Sequence, residues 1–156
     1  MVKYTIKRIV TGILLFGYIV IGLVDALLHG KTTYSSIMAM DINRVYFYTF
    51  FLLLMGSWLL YNKWFVGIGF LALAAFSSYF NQFIVLHNYF ASVIIYVAII
   101  IDIIIRKKYK WLVPLAIFGI IQGIAFETAW FGVYAVGLME LFALCVGSVF
   151  VVKTIQ

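Results

Sequence analysis

Long apolar runs parted by short polar breaks organise this chain: Ile9–Leu28, Val45–Tyr61, Trp64 to about Leu86, about Asn88 to Ile105, Trp111 to about Phe126, and Phe131–Val152. A helix needs ~20 residues to cross the ~30 Å hydrocarbon layer of a membrane. The pattern therefore predicts an all-α fold, a polytopic transmembrane helix bundle of six spans at about 9–28, 45–61, 64–86, 88–105, 111–126 and 131–152, in one transmembrane domain over residues 1–156. The weakest break is Leu86-His87-Asn88-Tyr89, but Trp64–Ile105 is far too long for one span, so a tight hairpin near His87 is expected. The fifth and sixth runs are parted by Glu127-Thr-Ala-Trp130-Phe-Gly132, where an acid, a Trp and a Gly suit an interfacial turn.

Charge tests the span count, because Lys and Arg accumulate in short cytoplasmic loops. Six spans with both termini in the cytoplasm place Lys3, Lys7, Arg8, Lys63, Arg106, Lys107, Lys108, Lys110 and Lys153 inside, and Lys31 and Arg44 outside, a split of nine against two. A five-span alternative would put Lys63 or the Arg106–Lys110 cluster outside. The net charge of +6 is thus a topology signal and a source of phospholipid contacts, and nucleic acid is not an expected partner.

Composition agrees: 67% of the 156 residues are hydrophobic and 10% charged, against about 25% charged in an ordinary soluble domain. No soluble appendage is expected. Lys3, Lys7 and Arg8 before an apolar run resemble a secretory signal, yet Asp25-Ala-Leu-Leu-His-Gly lacks a small-x-small cleavage site, so a retained first helix is expected. Cys145 is the single cysteine, which excludes an intramolecular disulfide or a CxxC metal site. Tyr4, Trp64, Tyr109, Trp111 and Trp130 fall at run ends as interfacial anchors. Gly67-Ile-Gly69, Gly119-x-x-x-Gly123 and Gly132-x-x-x-x-Gly137 offer seams for close helix approach.

Ionisable groups inside a span cost ~2.5–3.5 kcal/mol at its centre, so each requires an account. Asp102 stands four residues before Arg106, which an i,i+4 ion pair at the cytoplasmic interface explains. Asp25 and His29 form a second i,i+4 pair, near the outer end of the first helix, either as a helix-end hydrogen bond or as a proton-transfer unit. Asn81, Gln82, His87 and Asn88 flank the outer hairpin, and Gln122 and Glu127 lie in the outer half of the fifth helix. Glu140 sits about nine residues into the sixth, ~14 Å deep at 1.5 Å per residue, where it must be protonated, bonded or paired. On this topology His87, Glu140, Asn81, Asn88, Gln122 and Glu127 are candidates for one polar pocket open to the extracytoplasmic side, with Asp25 and His29 as a secondary pair.

Three stretches carry a family resemblance: Lys31-Thr-Thr-Tyr34-Ser35-Ser36-Ile37 in the first outer loop, Leu86-His87-Asn88-Tyr89-Phe90-Ala91 opening the fourth helix, and Gly137-Leu-Met-Glu140 in the sixth. In these the chain resembles the Frag1/DRAM/Sfk1 and DUF998 group of six-span membrane proteins. The resemblance implies the six-helix fold, an outer-leaflet site shared by His87 and Glu140, and a lipid-linked role without a defined reaction.

Four function classes stay open on the residues alone. The first is a lipid-associated binding or remodelling protein whose pocket receives a headgroup, with membrane lipids as partners. A structural subunit of a larger membrane complex, or a homo-oligomer, fits the lipid-like helix faces equally. An intramembrane metal-dependent hydrolase would use Asp25, His29, His87 and Glu127 or Glu140 around Zn²⁺, but the HxxxH and HExxH spacings are missing, and no cofactor is expected. A proton-coupled transporter would protonate Glu140, yet Pro114, the sole proline, falls in the first turn of the fifth helix and breaks no span. No nucleophile–base pair or nucleotide motif is legible. The expected location is the cytoplasmic membrane of a bacterium or archaeon.

Overall fold

The computed structural model describes residues 2–30, 37, 40–77, 79, 86–87, 94–128 and 133–155, without the side chains of 2, 118, 122–123, 125–128 and 133–140. Those residues are mostly helical and contain no strand. The helices are α1 (Val2–His29), α2 (Ile42–Asn62), α3 (Trp64–Ala75), α4 (Ile95–Ile105), α5 (Leu112–Thr128) and α6 (Val133–Thr154), with a 3₁₀ turn at Tyr109–Trp111 before α5. Along the chain α2 packs on α1, α3 on α2, α4 on α3 and α6 on α5, and α6 returns against α1.

Local chemistry sets the helix ends. α1 begins before the apolar run because Lys3, Lys7 and Arg8 are good helix formers that extend it into polar surroundings, and it stops at Gly30, whose φ of +62° suits the left-handed residue after a helix. Asp41 caps α2, its Oδ1 accepting from the Arg44 backbone N–H at 3.0 Å. α3 ends at Ala75, short of the expected Leu86: Phe76 leaves helical geometry and the Ser77 hydroxyl accepts from the Tyr79 N–H at 3.3 Å, a local bond that competes with helix continuation. α4 runs from Ile95, residues 88–93 lying outside the described ones. Pro114 sits in the first turn of α5, where it costs no intrahelical bond.

One core joins the helices, with Leu15 and Tyr18 from α1, Tyr48, Leu52, Met55 and Leu59 from α2, Val66 and Phe70 from α3, Ile99 and Ile103 from α4, Leu115 from α5 and Phe150 from α6. Tyr18 meets Tyr48 edge-to-face at 6.1 Å between centroids, one of the favoured aromatic arrangements. The tightest crossing is α2 with α3, where a Cβ on Gly67 would overlap the Leu60 backbone, and a Cβ on Gly69 would come within 2.7 Å of Ile95 in α4. These two glycines are the expected packing seam. A Cβ on Gly119 would strike the Tyr96 hydroxyl at 2.6 Å, while Gly123, Gly132 and Gly137 fall among residues whose side-chain surroundings are not described.

The opposite faces are also apolar. α1 exposes Ile6, Ile9, Ile13, Val20, Val24 and Leu27, and α2 exposes Phe47, Phe50, Leu53 and Leu54. Lys3–His29 and Ile42–Asn62 are long and apolar enough to cross a membrane, with 28% and 33% of their most apolar stretches buried. A core helix of a soluble protein is mostly covered, and a helix apolar all round needs either such cover or lipid.

Side-chain contacts define two ends. At one, Thr11 near the start of α1 accepts from Trp58 Nε1 at 2.8 Å, Lys7 lies 5.7 Å from the Tyr61 ring, Lys63 reaches Asp102 and Thr154, and Lys153 lies 5.7 Å from the Trp111 ring. At the other, the last turn of α1 meets the first turns of α2 through Arg44.

Candidate functional site

At the Arg44 end, Asp25 is the hub. Its Oδ2 accepts from Arg44 Nε at 3.2 Å and from the Tyr48 hydroxyl at 2.9 Å, and its Oδ1 accepts from Arg44 Nη2 at 3.3 Å. The guanidinium grips the carboxylate with two nitrogens, a geometry lysine lacks. The remaining guanidinium nitrogen donates to Asp41 Oδ2. The Arg44 N–H, and then its guanidinium, hold the Asp41 carboxyl below the ordinary aspartate value of 3.8.

His29 stands where the i,i+4 spacing predicts. Its Nδ1 lies 2.9 Å from Asp25 Oδ1 and 2.9 Å from the Asp25 carbonyl, and its Nε2 lies 2.9 Å from Arg44 Nη2. A proton on Nδ1 and a lone pair on Nε2 satisfy both neighbours, since Arg44 can only donate. The Asp25–His29 pair therefore forms, but it is committed to Arg44, which the charge pattern marks only as an outer cation, and to Tyr48.

His87 is 2% exposed, and its Nδ1 lies 2.8 Å from the Phe76 carbonyl just past α3, so this nitrogen donates. Burial pushes the imidazole below its ordinary 6.5, and the Phe76 bond opposes that shift. His87 thereby donates to a carbonyl just beyond the last turn of α3. Asn81 and Asn88 lie outside the described residues, and so do the side chains of Gln122, Glu127 and Glu140 on α5 and α6. Of the expected outer pocket, only His87 and the Asp25–His29 pair are described. Among the described residues no three His, Cys, Asp or Glu side chains converge as metal ligands.

The Lys63 end holds a second cluster. Asp102 Oδ1 accepts from Arg106 Nε at 2.9 Å, the expected i,i+4 pair. Its Oδ2 takes Lys63 Nζ, which also donates to the Thr154 hydroxyl at 2.6 Å and lies 5.1 Å from the Phe150 ring centroid. The Thr154 hydroxyl in turn donates to the Phe150 carbonyl at 2.7 Å. The Lys63 side chain is 0% exposed. Burial pushes the ammonium down to about 8, with the Asp102 carboxylate pulling the other way. Read from the sequence, Lys63 is one of nine topology charges; here it fastens the α2–α3 corner to α4 and α6. The one available signal was its place as the only charged residue between Arg44 and Asp102, in a break of Asn62-Lys63 between two long apolar runs.

These features define an all-helical protein with, among the described residues, two helices long and apolar enough to cross a membrane and a polar cluster at each end. No family model matches the chain, and no curated protein or solved structure is significantly similar to it.

Proposed function

We propose that the chain is a six-span integral membrane protein of a bacterial or archaeal cytoplasmic membrane, with both termini cytoplasmic, that binds or remodels lipid from its outer side. The carrying observation is the apolar outer faces of α1 and α2, with 28% and 33% of their most apolar stretches buried. Acyl chains satisfy such faces, and water does not. The topology draws support from the end where Lys7, Lys63, Arg106 and Lys153 gather, because short basic segments stay in the cytoplasm. The lipid role draws support from the buried His87 and from the resemblance to the Frag1/DRAM/Sfk1 and DUF998 group, in which His87 and Glu140 share the outer site.

Reporter fusions at residues 30, 63, 87, 108 and 130 test the topology: outside, inside, outside, inside, outside is the expected series. Native mass spectrometry of the purified chain tests the lipid role. Retained phospholipid that is lost in Glu140→Gln and His87→Gln, with helicity unchanged, supports it. A stable chain that retains no lipid overturns it, and copurification of stoichiometric partner helices in its place would favour a structural subunit.

A further inference from the structure

Three features compete for a role beyond this reading: the Lys63–Asp102–Thr154 node, the Arg44 cluster, and the exposed turn between α4 and α5. The first two are internally satisfied. The third is not. Arg106 is spent on Asp102, but Lys107, Lys108 and Lys110 are exposed, with Tyr109 exposed between them and Trp111 beside them.

The turn is also closed by backbone hydrogen bonds and locally strained. The Lys108 N–H donates to the Ile103 carbonyl and the Lys107 N–H to the Ile104 carbonyl, each at 3.0 Å, the paired closure of a helix C-terminus that ordinarily has glycine at its left-handed position. Here that position is Lys107, with φ of 54°. A side chain there is disfavoured relative to glycine. A topology signal needs charge somewhere in the loop and has no need of a cation at the one strained position.

We infer that the Lys107-Lys108-Tyr109-Lys110 turn is a docking point for the phosphate of an anionic phospholipid in the cytoplasmic leaflet. The site faces away from the outer one and rests on the membrane reading alone. The fixed turn presents three ammonium groups to the headgroup, the Tyr109 ring sits at the interface, and the exposed Ile104, Ile105 and Val113 on either side offer apolar surface for the acyl chains. That apolar flank favours a lipid over a nucleic acid, whose phosphates would bring nothing to cover it.

The test uses the full chain in neutral detergent, titrated with short-chain phosphatidylglycerol and phosphatidylcholine. The expected wild-type preference for phosphatidylglycerol is roughly tenfold or more at low salt, shrinking as salt is added. Lys107→Gly/Lys108→Gln/Lys110→Gln is expected to lose most of that preference while melting no lower, because Lys107→Gly relieves the left-handed strain. Arg8→Gln, an exposed cation at the same end on α1, is expected to leave it intact. An unchanged preference in the triple variant, an equal loss in Arg8→Gln, or equally tight binding of a single-stranded oligonucleotide overturns the inference. Flotation with phosphatidylcholine vesicles separates the two levels: a chain that does not float fails the membrane reading, whereas one that floats without headgroup preference fails only this site.

Discussion

The two polar clusters are built on one plan and placed in different surroundings. Each centres on an aspartate with a basic residue four positions on, His29 for Asp25 and Arg106 for Asp102, and each is completed by a cation from a distant helix turn, Arg44 or Lys63. The Arg44 cluster is partly exposed and joins two consecutive helices. In the Lys63 cluster the ammonium itself is closed from solvent, with Arg106 at its edge 24% exposed, and the cluster joins three elements far apart in sequence. The same carboxylate–cation plan therefore carries different weight: exposed pairs are screened and worth little, whereas breaking a buried pair strands a desolvated charge.

The largest expected effect is at Asp102. Asp102→Ala leaves Lys63 buried and uncompensated and should destabilise the protein at neutral pH by ~3–5 kcal/mol, read by denaturant unfolding in detergent. Lys63→Met/Asp102→Leu should recover most of that loss. Alkaline pH sharpens the point. Because the folded Lys63 value lies below the unfolded one, the unfolded chain holds the proton more tightly between about 8 and 10.5, and stability should rise across that window. Lys63→Met should abolish the rise; a wild type that instead weakens there counts against a costly buried ammonium.

Gly67→Ala comes next. The Gly67 N–H donates to the Lys63 carbonyl at 3.0 Å, and a Cβ at 67 runs into the Leu60 backbone, so the substitution prises apart the corner that delivers Lys63. A loss of ~1–3 kcal/mol is expected, and a double-mutant cycle with Lys63→Met should show the two effects to be non-additive.

Smaller again, Tyr48→Phe removes the buried hydroxyl donated to Asp25 and should cost ~0.5–1.5 kcal/mol. Comparable losses for Tyr48→Phe and Asp102→Ala would erase the contrast between the two ends. The smallest effect is the acid titration of Asp41. Its folded value is depressed, so its stabilisation is full above the ordinary aspartate range and fades as pH falls through it. Asp41→Asn should flatten that part of a melting-temperature profile and leave the alkaline rise untouched.

The legible parts of the fold were the local ones. Apolar runs announced six helices, with α5 and α6 within two residues of expectation. The apolar run continues past α3 because the two serines of Phe76-Ser-Ser-Tyr79 are too brief a polar step to divide it, and only the Ser77 turn shows the helix end. At the candidate site, His87 stands out in the sequence as a polar residue needing an account, but the Phe76 carbonyl it bonds is a backbone group that no residue pattern marks.

The sequence by itself determined what the 3.6-residue period can express: which stretches are helical, which are apolar enough to reach across a membrane, and the i,i+4 half of each aspartate cluster. The long-range half was decided only when the helices packed. Arg44 and Lys63 look alike in the sequence, each a lone cation at the edge of an apolar run, yet one lies partly in solvent over Asp25 and the other is sealed beneath Phe150 and Thr154. A residue's dielectric surroundings are a property of the neighbours that tertiary structure brings to it, and for these two cations they separate a pair worth little from one that fastens three helices together.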